Sequence, residues 1–310
     1  MKNRRYALII LAVFGAAIIS IWCGWPVSAQ KTFRADGRSP NTEATFTVTN
    51  TADSGAGSLR QAIADATNNV GADTITFNIP LTDPGCSVVT QVCTISIASP
   101  LGINTPMTID GYTQPVAQAN TNATGGLNTA LKIEISGPAT GSAFVVIFTP
   151  DVTVRGLVIN HCSTAFQVDI GVSNLRIEGN FIGTNPSGTQ AAATSRGIGI
   201  ATQLGGAEVF IGGATADKRN IISGISNNGI ETGGNFNGSN TLTVQGNLIG
   251  TDISGQAALG NGLAGMRHET ASCRVDLVSD HRLRKQSRST GNQRPARNQP
   301  DKKHDDGDNE

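Results

Sequence analysis

Between residues 30 and 266 the chain has no tryptophan, one tyrosine, one histidine and few charges. Without tryptophan, any platform for stacking on a sugar falls to Tyr112 or a phenylalanine. The single histidine, His161, stands beside Cys162 after an apolar strand; it reads first as packed or hydrogen-bonded, and only second as a general base. Only 25 of these 237 residues are charged, 10 basic and 15 acidic, and no basic run occurs, which argues against nucleic acid as a partner. Helical periodicity is missing after Cys93, and that excludes doubly wound and TIM-barrel folds, which need helices between strands. No metal-ligand spacing is present, so neither metal nor cofactor is expected.

What the chain does have is a phrase stated twice, Glu178-Gly-Asn-Phe-Ile-Gly-Thr184 and Gln245-Gly-Asn-Leu-Ile-Gly-Thr251. Each copy continues with Ser-Gly, at Ser187-Gly188 and Ser254-Gly255. Arg155-Gly-Leu-Val-Ile-Asn160 and Arg219-Asn-Ile-Ile-Ser-Gly224 are weaker relatives. A second phrase recurs as Gly197-Ile-Gly-Ile200, Gly229-Ile230-Glu231 and Gly262-Leu263-Ala264. Self-similarity of this kind is the mark of stacked turns. Short strands punctuated by Gly, Asn and Pro follow one another from Thr94–Ile97 through Met107–Ile109, Leu131–Ile135, Phe144–Phe148, Val152–Ile159 and Leu175–Ile177 to Val209–Ile211, Ile221–Ile222 and Leu242–Val244. Glycine makes up 33 of the 237 residues, about twice the usual share.

These features predict an all-β fold, a right-handed parallel β-helix, in which equivalent residues stack at the strand spacing. Ile177, Phe181, Ile182, Val244, Leu248 and Ile249 are expected inside as aliphatic columns. Asn180, Asn220 and Asn247, with Asn160 as a further member, are expected at a corner as a structural ladder, where Asn tolerates unusual φ and bonds its neighbours. The turns are unequal, so Asn185–Ser195 and Gly233–Asn240 are expected to protrude as loops.

Both ends differ from this body. Lys2, Arg4 and Arg5, an apolar run to Trp25 and Val27-Ser28-Ala29 describe a signal peptide over 1–29, with an uncleaved anchor as the alternative. Residues 30–44 read as a flexible linker. Residues 45–92 read as an N-terminal cap: a strand at Thr45–Asn50, a helix from Leu59 to about Thr67 opened by a Ser58–Gln61 capping box, and a strand at Ala72–Ile79. Export would place Cys86 and Cys93 in an oxidising compartment, and their spacing predicts a disulfide. Cys162 reads as an inert core thiol. Coils are expected over 93–266. From Arg267 to Glu310, 18 of 44 residues are charged, and the segment predicts a disordered tail. Two readings of it stand: a reading frame lost near Gly265 in a longer natural protein, or a true polar tail.

Gly57-Ser-Leu-Arg-Gln-Ala-Ile63, Asp73-Thr-Ile-Thr-Phe-Asn-Ile79, Thr108-Ile-Asp-Gly-Tyr-Thr-Gln-Pro115, Ile211-Gly-Gly213 and the Gly-Asn-x-Ile-Gly phrases resemble those of secreted bacterial right-handed parallel β-helix repeat proteins, the pectin-lyase-like group. The resemblance covers about Thr45 to Gly265. It implies the fold, and an exported, extracellular or cell-surface protein, but not one activity, because such coils carry lyases, glycosidases, adhesins and stalks alike. The tight Asp-Asp pair and the Asp/His-Gly motif of pectin-hydrolysing members are missing. Asp110 precedes Gly111 and reads as a turn residue, and Asp169, Glu178, Glu208, Glu231 and Asp252 fall in different coils. No catalytic residue is therefore assigned. The expected function is a non-catalytic scaffold for adhesion or for binding polysaccharide or a cell-surface glycan. The alternative is a carbohydrate-active enzyme, which should bring two carboxylates, or a carboxylate and Arg155 or Arg176, into one groove.

Overall fold

A computed structural model describes residues 42–201, 207–233, 240–268 and, by backbone alone, 274–278. The expected signal segment, most of the expected linker and most of the expected tail lie outside the described residues, as does most of the Gly233–Asn240 loop. The first round is a strand, a helix and a strand: β1 (Thr45–Val48), α1 (Leu59–Asn68) and β2 (Asp73–Phe77). Then come β3 (Cys93–Ser96), β4 (Leu101–Ile103), β5 (Met107–Asp110), β6 (Ile133–Ser136), β7 (Ser142–Val146) and β8 (Val152–Arg155). The middle of the chain holds β9 (Leu157–Asn160), β10 (Thr164–Val168), β11 (Leu175–Glu178), β12 (Phe181–Ile182), β13 (Arg196–Ile200) and β14 (Glu208–Gly212). β15 (Ile221–Ile222), β16 (Ile230–Thr232), β17 (Thr241–Gln245), β18 (Leu248–Ile249), β19 (Met266–His268) and β20 (Arg274–Val278) complete it.

From β2 to β17 every strand pairs with the strand three places on, always parallel, so the chain deals its strands in rotation into three sheets. One sheet runs β1-β2-β5-β8-β11-β14-β17-β20, a second β3-β6-β9-β12-β15-β18, and a third β4-β7-β10-β13-β16-β19. The protein is thus all-β, with three wholly parallel sheets and, among the described residues, one α-helix.

Register converts the sequence repeat into columns. Ile75, Ile109, Val154, Ile177, Ile211 and Val244 are successive partners in the first sheet. Ile95, Ile135, Ile159, Ile182, Ile222 and Ile249 are partners in the second. Leu101, Phe144, Phe166, Ile198 and Ile230 follow in the third, where the Phe144 and Phe166 rings stack at 5.2 Å. All these side chains are buried in one continuous core.

Phe181 and Leu248 do not join those columns. Neighbours in a strand point to opposite faces, so with Ile182 and Ile249 turned inward, Phe181 and Leu248 face outward. They are buried in a second cluster with Leu127, Leu131, Val158 and Ile221, flanked by Tyr112 and Ile253. The cover is the segment 113–131, a strap laid across successive strands of the second sheet. The Leu127 amide donates to Ile253 O at 2.8 Å, Asn120 Nδ2 to Ala216 O at 2.8 Å, and Arg219 Nη1 and Nη2 to the carbonyls of Asn122 and Gly125 at 3.0 and 2.8 Å.

The expected strand Val152–Ile159 is two strands in different sheets. Gly156, at φ 73°, turns the chain between them, and a side chain there would lie 2.7 Å from the Tyr112 nitrogen. In the second phrase the third member is Gly265-Met266, not Gly262-Leu263: Ile230 pairs with Met266, and Leu263 is exposed. Pairing continues beyond that point, through β19 and β20, into the segment where the composition changes.

Helix α1 packs on β1, β2 and β4, burying Leu59, Ala62, Ile63 and Ala66. Ser58 Oγ accepts from the Gln61 amide at 3.2 Å. The other half of the capping box is not made, since Gln61 Nε2 donates to Asp65 and the Ser58 amide to Gly55 O. Cys86 and Cys93 form a disulfide. Cys162 is buried, and burial pushes its thiol up to about 12.

Candidate functional site

The charged residues that share a place in the repeat stand just before its turning glycine: Asp110 before Gly111, Arg155 before Gly156 and Glu178 before Gly179. They end β5, β8 and β11, and register makes them successive neighbours. Two sheet spacings set the Asp110 and Glu178 backbones about 10 Å apart with Arg155 between them. Arg155 Nη2 lies 2.7 Å from Asp110 Oδ2, and Lys218 Nζ lies 3.2 Å from Glu178 Oε2. Both carboxylates are nearly covered, their side chains 10% and 7% exposed. Glu178 Oε2 meets Lys218 as a charge, without a well-directed hydrogen bond.

Tyr112 closes this corner. Its amide donates to Asp110 Oδ1 at 3.1 Å and its hydroxyl to Gly179 O at 2.8 Å. Burial pushes its phenol up to about 12, with the Asp217 and Asp110 charges adding to the rise. The Arg155 guanidinium is held above its ordinary value, first by its hydrogen bond to Asp110 and then by the nearby negative charges. The arrangement brings together the carboxylate and arginine that an enzyme reading asks for, and pairs each carboxylate with a cation.

Arg155→Met should lower stability by about 2 kcal/mol, because Asp110 keeps a nearly buried charge with no cation. Combined with Asp110→Asn, the two losses should fall short of their sum. A double-mutant cycle on denaturant midpoints that finds simple additivity would count against the pairing.

Beside this corner the three asparagines bond along the stack. Asn180 Oδ1 accepts from the Leu157 amide at 3.0 Å, Asn220 Oδ1 from the Asn180 amide at 2.8 Å, and Asn247 Oδ1 from the Asn220 amide at 3.2 Å. Their Nδ2 groups donate to the carbonyls of Val154, Ile177 and Ile211 at 2.8, 2.8 and 2.9 Å. None of the three is at positive φ. The left-handed turn is taken by the preceding glycine in two cases, Gly179 at 68° and Gly246 at 75°, so the asparagines serve through their amides alone. Asn160 is not a rung: it aligns with Gly183, Leu157 holds the rung position, and Asn160 Nδ2 donates to Glu134 and Thr184 O.

The remaining candidates are dispersed. His161 Nδ1 is 2.6 Å from Asn160 Oδ1. Arg176 lies over the Phe210 ring at 4.5 Å, on the outer face of the first sheet. Glu231 bridges Arg196 at 2.9 Å and Arg267 at 3.1 Å. Asp169 accepts from Gln167, Asp252 caps its own loop, and Glu208 is exposed. Among the described residues, no three His, Cys, Asp or Glu side chains group as metal ligands. The Asn185 loop folds back as a small hairpin, and its Gly188 carbonyl accepts from the Ile253 amide at 2.9 Å. The strap escaped the sequence reading for want of any periodic signal. The corner ion chain had one, in the charge before each turning glycine.

No family model, no curated protein and no solved structure matches the chain.

Proposed function

We propose that the chain is a right-handed parallel β-helix of the pectin-lyase-like kind, exported, and serving as a non-catalytic scaffold that binds polysaccharide or a cell-surface glycan. The observation that carries this reading is the pairing of charges along the coils. Asp110 with Arg155, Glu178 with Lys218, and Arg196 with Glu231 and Arg267 tie the charges to one another. Such pairs stiffen a stack, whereas acid–base catalysis needs a carboxylate open to substrate. The signal-like N-terminus and the Cys86–Cys93 disulfide support export. Among the described residues, no helix is long and apolar enough to cross a membrane.

A second reading, a polysaccharide lyase or glycosidase, draws on Arg155 lying between Asp110 and Glu178. Incubation of the folded protein with pectin, polygalacturonate, alginate and neutral glucans separates the two. The scaffold reading expects polymer retention without new reducing ends or unsaturated uronates. Products that disappear in Arg155→Met would establish the enzyme instead.

A further inference from the structure

At the corner between the third and first sheets, residues 148–151 run beside residues 170–174. The Phe148 amide donates to Ile170 O at 2.9 Å, the Ser173 amide to Thr149 O at 3.2 Å, and the Asp151 amide to Ser173 O at 3.0 Å. Phe148 is 61% exposed, in a chain that buries most of its large apolar side chains. It is also held at φ 51°, a region that bulky residues rarely enter. Its ring rests against Gly171, where a Cβ would stand 2.9 Å from Phe148 Cδ1. Only glycine leaves the ring room to lie there, with the rest of it open to solvent.

Two polar side chains meet further along the same corner. Asn174 Nδ2 donates to Asp151 Oδ1 at 2.6 Å, and both residues are left-handed, at 51° and 53°. Asp and Asn accept that conformation readily; phenylalanine does not, so strain concentrates at the one aromatic residue. Phe148 and Asp151 are three residues apart, at most about 10 Å along an extended chain, a span that suits one sugar ring.

We propose that this corner is a binding subsite for a neutral pyranose unit of a polysaccharide. The apolar face of the sugar stacks on Phe148, and its hydroxyls donate to Asp151 and accept from Asn174. The charge selects the class. Asp151 is the single ionisable residue of the two stretches, and no lysine or arginine lies in either. A carboxylate opposes a uronate polymer and leaves hydroxyl-rich neutral chains favoured. The proposal deepens the polysaccharide-binding reading and rests on it.

Titration of the full chain with hexasaccharides of β-1,4-glucan and β-1,4-galactan, and in parallel with hexagalacturonate and hexaguluronate, tests it. A neutral oligosaccharide should bind, Phe148→Ala should weaken it at least about tenfold, and Phe148→Trp should keep it. Asp151→Lys should lose the neutral sugar. Thermal unfolding of each variant near that of the parent shows that the fold is intact. Neutral binding that Phe148→Ala leaves unchanged overturns this subsite while polysaccharide binding stands, and so does binding of uronates alone. Binding of none of the four overturns both.

Discussion

Replacing Asn220 by alanine is expected to cost about 4 kcal/mol of stability, an unusually large loss for removing one polar side chain. Asn220 is fully buried and makes three side-chain hydrogen bonds: it accepts from the Asn180 amide and donates to Ile177 O and to Asn247 Oδ1. Truncation leaves a buried N–H and a buried C=O without partners, at about 1–3 kcal/mol each, in a place no water reaches without opening the stack. Asn220→Asp should be less damaging at the Asn180 amide and more so at Ile177 O, where a donor becomes an acceptor. Asn185→Ala, on a loop, is the control, at under about 1 kcal/mol. Urea unfolding followed by circular dichroism measures all three. An Asn220→Ala midpoint as close to the parent as that of Asn185→Ala would remove the ladder from the account of stability.

Phe181→Ala and Ile182→Ala should each cost about 3–4 kcal/mol, yet fail in different places. Ile182 sits in the second-sheet column between Ile159 and Ile222, so its loss opens a cavity in the core shared by all three sheets. Phe181 lies on the opposite face, beneath the strap with Leu127 and Leu131. Its loss should free the strap before the sheets part. In hydrogen exchange, the Leu127 amide, bonded to Ile253 O, should lose protection in Phe181→Ala while amides of the three sheets keep theirs. In Ile182→Ala, sheet amides should lose protection together. The same exchange pattern in both variants would mean that strap and sheets form one cooperative unit.

The two residues also mark how far a sequence reading reaches. Both were expected inside because both are apolar and both recur as Leu248 and Ile249. The pleat allows only one of each pair to face the core, and the face of the other is settled by 113–131, a segment with no repeat of its own. Turn lengths raise the same difficulty. Register sets Ile109 and Val154 45 positions apart but Val154 and Ile177 only 23. Asn220 is 40 residues from Asn180 and 27 from Asn247, although each is the next rung. Constant spacing therefore points to Gly262-Leu263, whereas register completes the phrase with Gly265-Met266.

The sequence by itself determined the stacking of like on like: isoleucine columns, asparagine rungs, glycines at the left-handed turns, and the helix that opens the chain. Those features are local, because a side-chain period of two and a positive φ are written in each short phrase and repeated. The tertiary structure alone decided which charges neighbour one another, which outward face is roofed by the strap, and which aromatic ring stays open to solvent. Those outcomes depend on the lengths of the loops between phrases, and a loop's length shifts every later residue along the chain without moving its place in the stack.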